Sequence, residues 1–316
     1  MDAEPRRRRR YGALLFIVAL VAILLLLFIF IYGKLKVADS ERKAKEARDN
    51  SRVAVLVAVE PCAYLVERVG DERVQVAALT PQGKSPEDFA PTPAQLAKLN
   101  ATQIFFTVGL PIEERFVDKI DELAPEAKIV DLTQGVETLA NECDHAAEDG
   151  ESIDPHLWTS PAVARHMVAQ IADALVAFDP DGEEIYRANA ASLDSELAEL
   201  QAAIGDRLAP FHDRAFIVFH PAYGYFAREF HLAQRAIEVD GKAPRPKELE
   251  ELVHYARDAG VRALIVQPEF NRSSAQTVAD MIGAEVVVHS PLEKDYFHNI
   301  TALVDAIEES FGGDDK

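Results

Sequence analysis

From residue 53 onward, short runs of apolar and β-branched residues alternate with segments whose apolar positions recur every three to four residues. The runs at 53–59, 73–79, 103–106 and 129–132, then at 215–219, 235–239, 263–266 and 285–288, predict eight strands. Strands and helices alternating in this way predict parallel sheets covered by helices. Between the two sets of runs, Ile185, Leu193, Leu197, Leu200, Ile204 and Leu208 fall at helical spacing. Residues 181–208 are therefore expected to form one helix of ~42 Å at ~1.5 Å per residue, enough to run along both halves. The expected fold class is α/β, with two lobes, each a parallel β-sheet flanked by helices, joined by a long rigid helix. A helical connector is stiffer than a loop hinge, so modest lobe motion is expected. Thr92-Pro93 and Ser160-Pro161 each offer a capping hydroxyl followed by proline in the first helical turn, and the stretch from Asn271 to Ser274 can cap another helix. Asp179-Pro180-Asp181-Gly182 resembles part of a calcium loop but lacks the remaining ligand positions, and reads as a turn between helices.

The N-terminus follows a different pattern. Residues 6–10 are five arginines, and residues 12–31 carry no charge. Those 20 residues would span ~30 Å as a helix, the thickness of a bilayer's hydrocarbon core. Basic residues before the span predict a cytoplasmic N-terminus. Phe28-Ile29-Phe30-Ile31-Tyr32 fills the place where a cleavage site would need small residues, so the expectation is an N-terminal transmembrane helix acting as an uncleaved signal anchor. The resulting division is a basic tail (1–10), a membrane anchor (11–33), a charged tether (34–51), an N-terminal lobe (52–160), a helical connector (161–210) and a C-terminal lobe (211–316). The ectodomain is expected on the periplasmic or extracellular face of the cell membrane. The first ten residues contribute +3 to a formal charge of −20, leaving −23 on the rest. So acidic an ectodomain argues against a nucleic-acid partner. Cys62 and Cys143 are the only cysteines, and outside the cytoplasm they can form a disulfide or remain two free thiols.

In open parallel sheets, ligands bind beyond the carboxyl ends of the strands. His220 directly follows the run at 215–219, Gln267, Pro268 and Glu269 follow that at 263–266, and His289 and Ser290 follow that at 285–288. From the first half, Glu87 and Asp88 precede Thr92-Pro93, and His156 precedes Ser160-Pro161. Two such rims facing each other make a cleft. An isolated histidine at a strand end is more often a surface or supporting group. His156 and His220 depart from that expectation because proline and aromatic neighbours would shield them at element junctions. His289 is open between ligand and rim residue. His145, His166, His212, His231, His254 and His298 lie on loops or helix faces and read as surface or satisfied groups.

Four segments carry a resemblance: the nine residues from Ser85 to Pro93, Asp154-Pro155-His156-Leu157-Trp158, the eight residues from Phe219 to Phe226, and Gln267-Pro268-Glu269-Phe270. In this order and spacing they resemble the ZnuA/TroA-like metal-binding receptors of ABC importers, over nearly all of residues 52–311. The resemblance implies two α/β lobes holding Zn(II) or Mn(II) between them, and delivery of the ion to a membrane permease. By position it makes His156 and His220 metal ligands. Glu87 stands where family members usually have a first-lobe histidine, and a carboxylate can replace imidazole on zinc. Ser290, with His289 beside it, stands where many have a final aspartate. The metal set is thus Glu87, His156, His220 and His289, with Ser290, Glu269 or water as other sources of the fourth ligand. The histidine-rich loop of many zinc members is reduced here to the acidic stretch 142–149, with the single imidazole of His145.

Two histidines with one or two carboxylates make a borderline donor set, suiting Zn(II) first and also Mn(II) or Fe(II). The expected function is a membrane-anchored, monomeric receptor that captures the cation and passes it to an ABC-type permease, without enzymatic activity. The rival readings are a membrane-tethered metallohydrolase and an adhesion or scaffold ectodomain that keeps the fold without the metal. Against hydrolysis, the chain has no His-Glu-x-x-His helix and no Gly-x-Ser-x-Gly elbow. Gly83-Lys84-Ser85 ends like a phosphate-binding loop, but Ala78 occupies the leading glycine position.

Overall fold

The computed structural model describes residue 34 and residues 52–87, 89–92, 98–140, 153–238, 244–270 and 272–312. The expected basic tail, anchor and almost all of the tether lie outside these residues, as do Asp88, the Pro93 helix start, Cys143, His145 and Asn271. Among the described residues no helix is long and apolar enough to cross a membrane.

Eight strands form two four-stranded sheets. The first contains β1 (Val53–Val57), β2 (Val74–Ala78), β3 (Ile104–Thr107) and β4 (Lys128–Asp131) in the order β2-β1-β3-β4. The second contains β5 (Ala215–Val218), β6 (Ala233–Ala236), β7 (Ala263–Val266) and β8 (Glu285–Val288) in the order β6-β5-β7-β8. All six pairings are parallel. The central strands β3, β5 and β7 are buried at every position, whereas the outer strands β2 and β6 alternate. Central strands of a parallel sheet are covered on both faces, which is why their sequences read as unbroken apolar runs.

The helices are α1 (Glu60–Gly70), α2 (Pro111–Leu123), α3 (Pro161–Phe178), α4 (Glu183–Leu208), α5 (Gly224–Glu229), α6 (Pro246–Asp258), α7 (Arg272–Ile282) and α8 (Tyr296–Ser310). Proline in the first turn opens α1, α2, α3 and α6, where its missing N–H costs no helical hydrogen bond. At α3 the Ser160 hydroxyl accepts from the Val163 N–H at 3.1 Å, as its sequence predicts. At α2 the buried Glu113 carboxylate takes the N–H groups of Val108, Gly109 and Leu110 at 2.8–3.0 Å, closing the turn that enters the helix.

α4, at 26 residues, is ~39 Å long. Asn189 in its first half donates to the Val69 carbonyl of α1 at 3.1 Å, and Glu196 pairs with Arg68 at 2.6 Å. Its last turn is tied to α8, where Arg207 bonds both Glu308 and Asp305 at 2.6 Å. One helix is thus fastened to both lobes. Its buried stripe is Tyr186, Leu193, Leu197, Ile204 and Leu208. Ile185, expected on that stripe, is 41% exposed, because a position seven residues before Leu193 is in phase with it and one eight before is not. Asp179 in the preceding turn accepts from Arg73 through two nitrogens and from Tyr186 Oη at 2.6 Å, as befits an interhelix turn.

The larger hydrophobic core is continuous across the lobes. It joins β1 and β3, α1, α3 and α4 to Phe216, Tyr223, Phe226, Leu292 and α8. A smaller core packs α6 and α7 against the other face of the second sheet. Cys62 is a free thiol buried in α1, its ionisation suppressed by burial and then by the nearby Glu113. The placement of α4 gives a direct test. Leu197→Ala should lower unfolding free energy by about 2–5 kcal/mol, whereas Ile185→Ala should change it by no more than about 0.5 kcal/mol. Equal losses in urea titrations would refute the assigned buried face.

Candidate metal centre

The loops after the carboxyl ends of the strands converge, and three of the four expected ligands meet there. Glu87 lies in the loop after β2, His156 just ahead of the short turn into α3, and His220 two residues past β5. One ligand atom from each lies within 4.8 Å of the others. Ligand atoms bonded to one ion at ~2.0–2.2 Å are ~3.3–3.6 Å apart, so a contraction of ~1 Å would close the trio. Both imidazoles are buried, at 7% exposure for His156 and 4% for His220. Their ring centroids are 5.3 Å apart with planes at 73°. The trio lines a partly open cleft with Glu269 and Phe270, whose space for water-sized occupants is about 20 Å³. That is room for about one ion or water, since a single water needs ~10–15 Å³ by this measure.

Each imidazole is aimed by its own partner. Asp154 Oδ1 sits 2.8 Å from His156 Nδ1 and also accepts the His156 backbone N–H at 3.0 Å. With its proton on Nδ1, His156 presents the Nε2 lone pair to the cleft, the arrangement that carboxylate partners impose on metal-bound imidazoles. Trp158, 5.5 Å from the His156 ring, donates its indole N–H to the Pro291 carbonyl at 2.8 Å and closes the wall. His220 is clamped through its backbone: the Gln267 side chain donates to its carbonyl at 2.8 Å and accepts its N–H at 3.2 Å. The His220 ring stacks on Phe270 at 4.9 Å, with planes at 19°. Glu87 Oε1 lies 3.1 Å from Nε2 on one side. Glu238 Oε2 lies 3.4 Å from Nδ1 on the other, at ion-pair range but without hydrogen-bond alignment.

Glu238 is the functional neighbour that the sequence reading missed. That reading placed β6 at 235–239, which makes Glu238 a strand-interior residue. The strand begins at Ala233, because its register is set by pairing with β5, Ala215 opposite Ala233 through Val218 opposite Ala236. Small alanines at both ends of β6 carry no β-branched signal. With the strand ending at Ala236, Glu238 falls just beyond its carboxyl end. Its N–H donates to Phe219 O at 2.9 Å, which sets it beside His220.

His289 does not join the trio. Its Nδ1 is 2.9 Å from Tyr223 Oη and its Nε2 is 3.0 Å from the Asn299 carbonyl, so both ring nitrogens are engaged within the fold. Burial, opposed by the Asn299 contact, holds its pKa below the usual histidine range. A neutral ring that accepts from Tyr223 and donates to Asn299 satisfies every partner. Ser290 donates to Glu269 Oε1 at 2.9 Å and accepts the Leu292 N–H. Glu269 lines the cleft but is not one of the groups meeting within 4.8 Å.

The electrostatics of the trio follow from two carboxylates around one imidazole. Burial works against a charged His220, but Glu238 and Glu87 outweigh it and raise its pKa to about 9. Burial likewise pushes Glu87 upward, and the contacts with His220 and His156 outweigh it, leaving Glu87 below the usual carboxylate range. At neutral pH the metal-free site therefore contains an imidazolium between two carboxylates.

Two lobes and a one-ion pocket built from imidazole and carboxylate define a cleft-binding protein for a small cation. The chain belongs to the family described as zinc-uptake complex component A, periplasmic (ZnuA), whose model matches residues 55–310. It is 26% identical over 266 residues to the high-affinity zinc uptake system protein ZnuA of Bacillus subtilis, covering 81% of this chain and 83% of that one. It is 25% identical over 244 residues to the manganese-binding lipoprotein MntA of Halalkalibacterium halodurans, covering 76% and 79% of the two chains. A crystal structure of ZnuA superposes with a TM-score of 0.78 at 32% identity, covering 83% of this chain and 100% of that one.

The raised pKa of His220 gives a pH prediction for the metal-free protein. Its folded value of about 9 exceeds the reference value of 6.5, so its stabilising contribution is complete below about pH 6.5 and is lost as pH rises through about 9. Nuclear magnetic resonance should show His220 protonated at pH 7.5. Glu238→Gln should lower its midpoint, and an unmoved midpoint would remove Glu238 as a cause.

Proposed function

We propose that this protein is the extracytoplasmic receptor of an ABC-type importer, binding Zn(II) in preference to Mn(II) or Fe(II) through Glu87, His156 and His220. The observation that carries this reading is the trio itself, two aimed imidazoles and a carboxylate within 4.8 Å around space for one ion. Glu269 or water completes the coordination, and His289 acts as a structural support rather than a ligand. The small space beside the trio favours capture of a single cation over hydrolysis. Zinc and manganese are the ions named for the two relatives, and nitrogen donors tilt this set toward zinc. The apolar stretch at 11–33, outside the described residues, serves as the anchor that keeps a monomeric receptor near its permease and raises its effective concentration there.

Binding exchanges a proton for the ion. The His220 imidazolium must release its proton before Nε2 can ligate, and the divalent ion then faces the same carboxylates. In competition with a chromophoric chelator, Zn(II) affinity should rise about tenfold per pH unit from pH 7 and flatten near pH 9, one proton being released per ion. His156→Ala should cost more than the ~10–100-fold typical of losing a ligand's supporting partner. An unchanged dissociation constant in calorimetry would take His156 out of the coordination sphere. Metal analysis after competitive loading should rank zinc first, and manganese ahead of zinc would overturn the proposed preference.

A further inference from the structure

The geometry points to a second, solvent-exposed cation site formed by His212 and His231, at the opposite end of β5 from the cleft. His212 lies three residues before β5 and His231 two residues before β6. These are the amino ends of the paired strands, whereas His220 follows the carboxyl end of β5. The two rings have centroids 5.0 Å apart and planes at 62°. That is close to the 5.3 Å and 73° of His156 and His220, the pair already aimed at one ion. Two imidazoles bound to one ion through bonds of ~2.0–2.1 Å place their ring centres ~5 Å apart at a tetrahedral angle. Both side chains are exposed, and no side-chain hydrogen bond or ion pair engages either ring among the described residues. Such rings remain available to an ion from solvent.

The backbone beneath them is the second observation. Among the described residues only three that are not glycine have positive φ, and two of them are here: Asp213 at 64° and His231 at 55°. A β-carbon makes this region unfavourable, so such conformations persist where surrounding bonds impose them and are enriched at functional sites. Here the Asp213 N–H donates to the His231 carbonyl at 2.8 Å, and Ala233 N–H donates to the Arg214 carbonyl at 3.0 Å. Those bonds staple the two loops and preset the spacing of the imidazoles before any ion arrives. Among the described residues no third histidine, cysteine or carboxylate closes on this pair, so water completes the coordination. The site is therefore weaker than the cleft and favours nitrogen-loving ions, Cu(II) above Zn(II).

Calorimetry of the metal-free full chain with zinc chloride, together with copper electron paramagnetic resonance, tests this. The wild-type protein should bind two ions, a tight one and a weaker one. His212→Ala and His231→Gly should each abolish the weaker event, leave the tight one unchanged and remove the second copper signal, the one that appears only after the first equivalent of copper is bound. The glycine variant relieves the positive φ, so its loss of binding does not arise from misfolding. His156→Ala should do the reverse, losing the tight event and keeping the weak one. A single ion at saturating zinc that is lost in His156→Ala, or a weak event that survives in His231→Gly, would overturn the second site. A single ion that is lost in His231→Gly would instead support it and count against the cleft.

Discussion

The constraint on which the centre depends is charge. Glu87 and Glu238 flank the buried His220, and two carboxylates held against one ring at this burial need a positive charge between them. In the metal-free protein a proton on His220 supplies it. In the proposed cycle a divalent ion takes over that role, so the site exchanges one positive species for another and never holds bare negative charge. In that cycle a proton is the competing occupant of the centre, and pH would control capture. Glu87, 3.1 Å from Nε2, strengthens the hold on that proton.

The surrounding frame determines which of the three side chains can move. His156 and His220 are each fixed at two or more points, by Asp154 and Trp158 on one side and by Gln267 and Phe270 on the other. Beneath them the larger core runs unbroken between the lobes, and α4 is bonded to α1 near one end and to α8 at the other. Relative rotation of the lobes would break that core, so large opening is disfavoured. Glu87 differs from the histidines: its side chain is one-third exposed, and its N–H is held by the Ser85 hydroxyl at 3.2 Å. The ~1 Å contraction needed to close the trio falls most readily on this carboxylate arm, swinging against a rigid pair of imidazoles.

Most of the fold was legible because a parallel sheet buried on both faces leaves a strong signal. All eight strands lie where apolar runs predicted them, within a few residues. The misreadings occurred where strand pairing or helical phase overrides side-chain preference. β6 starts at alanines because β5 dictates the register, and Tyr186 replaces Ile185 on α4 because helical phase counts for more than side-chain type. The site was legible in part for a related reason. Glu87, His156 and His220 lie in segments with recognisable neighbours and at element junctions. Glu238 was hidden by a shift of three residues in the carboxyl end of a strand, and the engagement of His289 depends on Tyr223 and Asn299, 66 and 10 residues away in sequence. No local pattern reports contacts of that range.

One segment links the two histidines across the lobes. The stretch from Phe219 to Phe226 delivers His220, and within a few residues it also supports His156. Tyr225 Oη donates to the Asp154 carbonyl at 2.9 Å and accepts the Leu139 N–H at 3.2 Å, bracing the loop that orients His156. Gly224, at the start of α5, leaves room for Asp154 itself: a β-carbon there would come within 2.8 Å of Asp154 Oδ2 and 3.2 Å of Leu139 Cδ1. A larger residue at 224 would displace the carboxylate that sets the His156 tautomer. His220, Tyr225 and Gly224 therefore form a single device, in which one histidine of the trio and the scaffold of the other arrive on the same turn of chain. The spacing of the two histidines in space then follows from contacts that Tyr225 and Gly224 make across the lobes with the loop holding Asp154, so it is kept only while the lobes stay packed together.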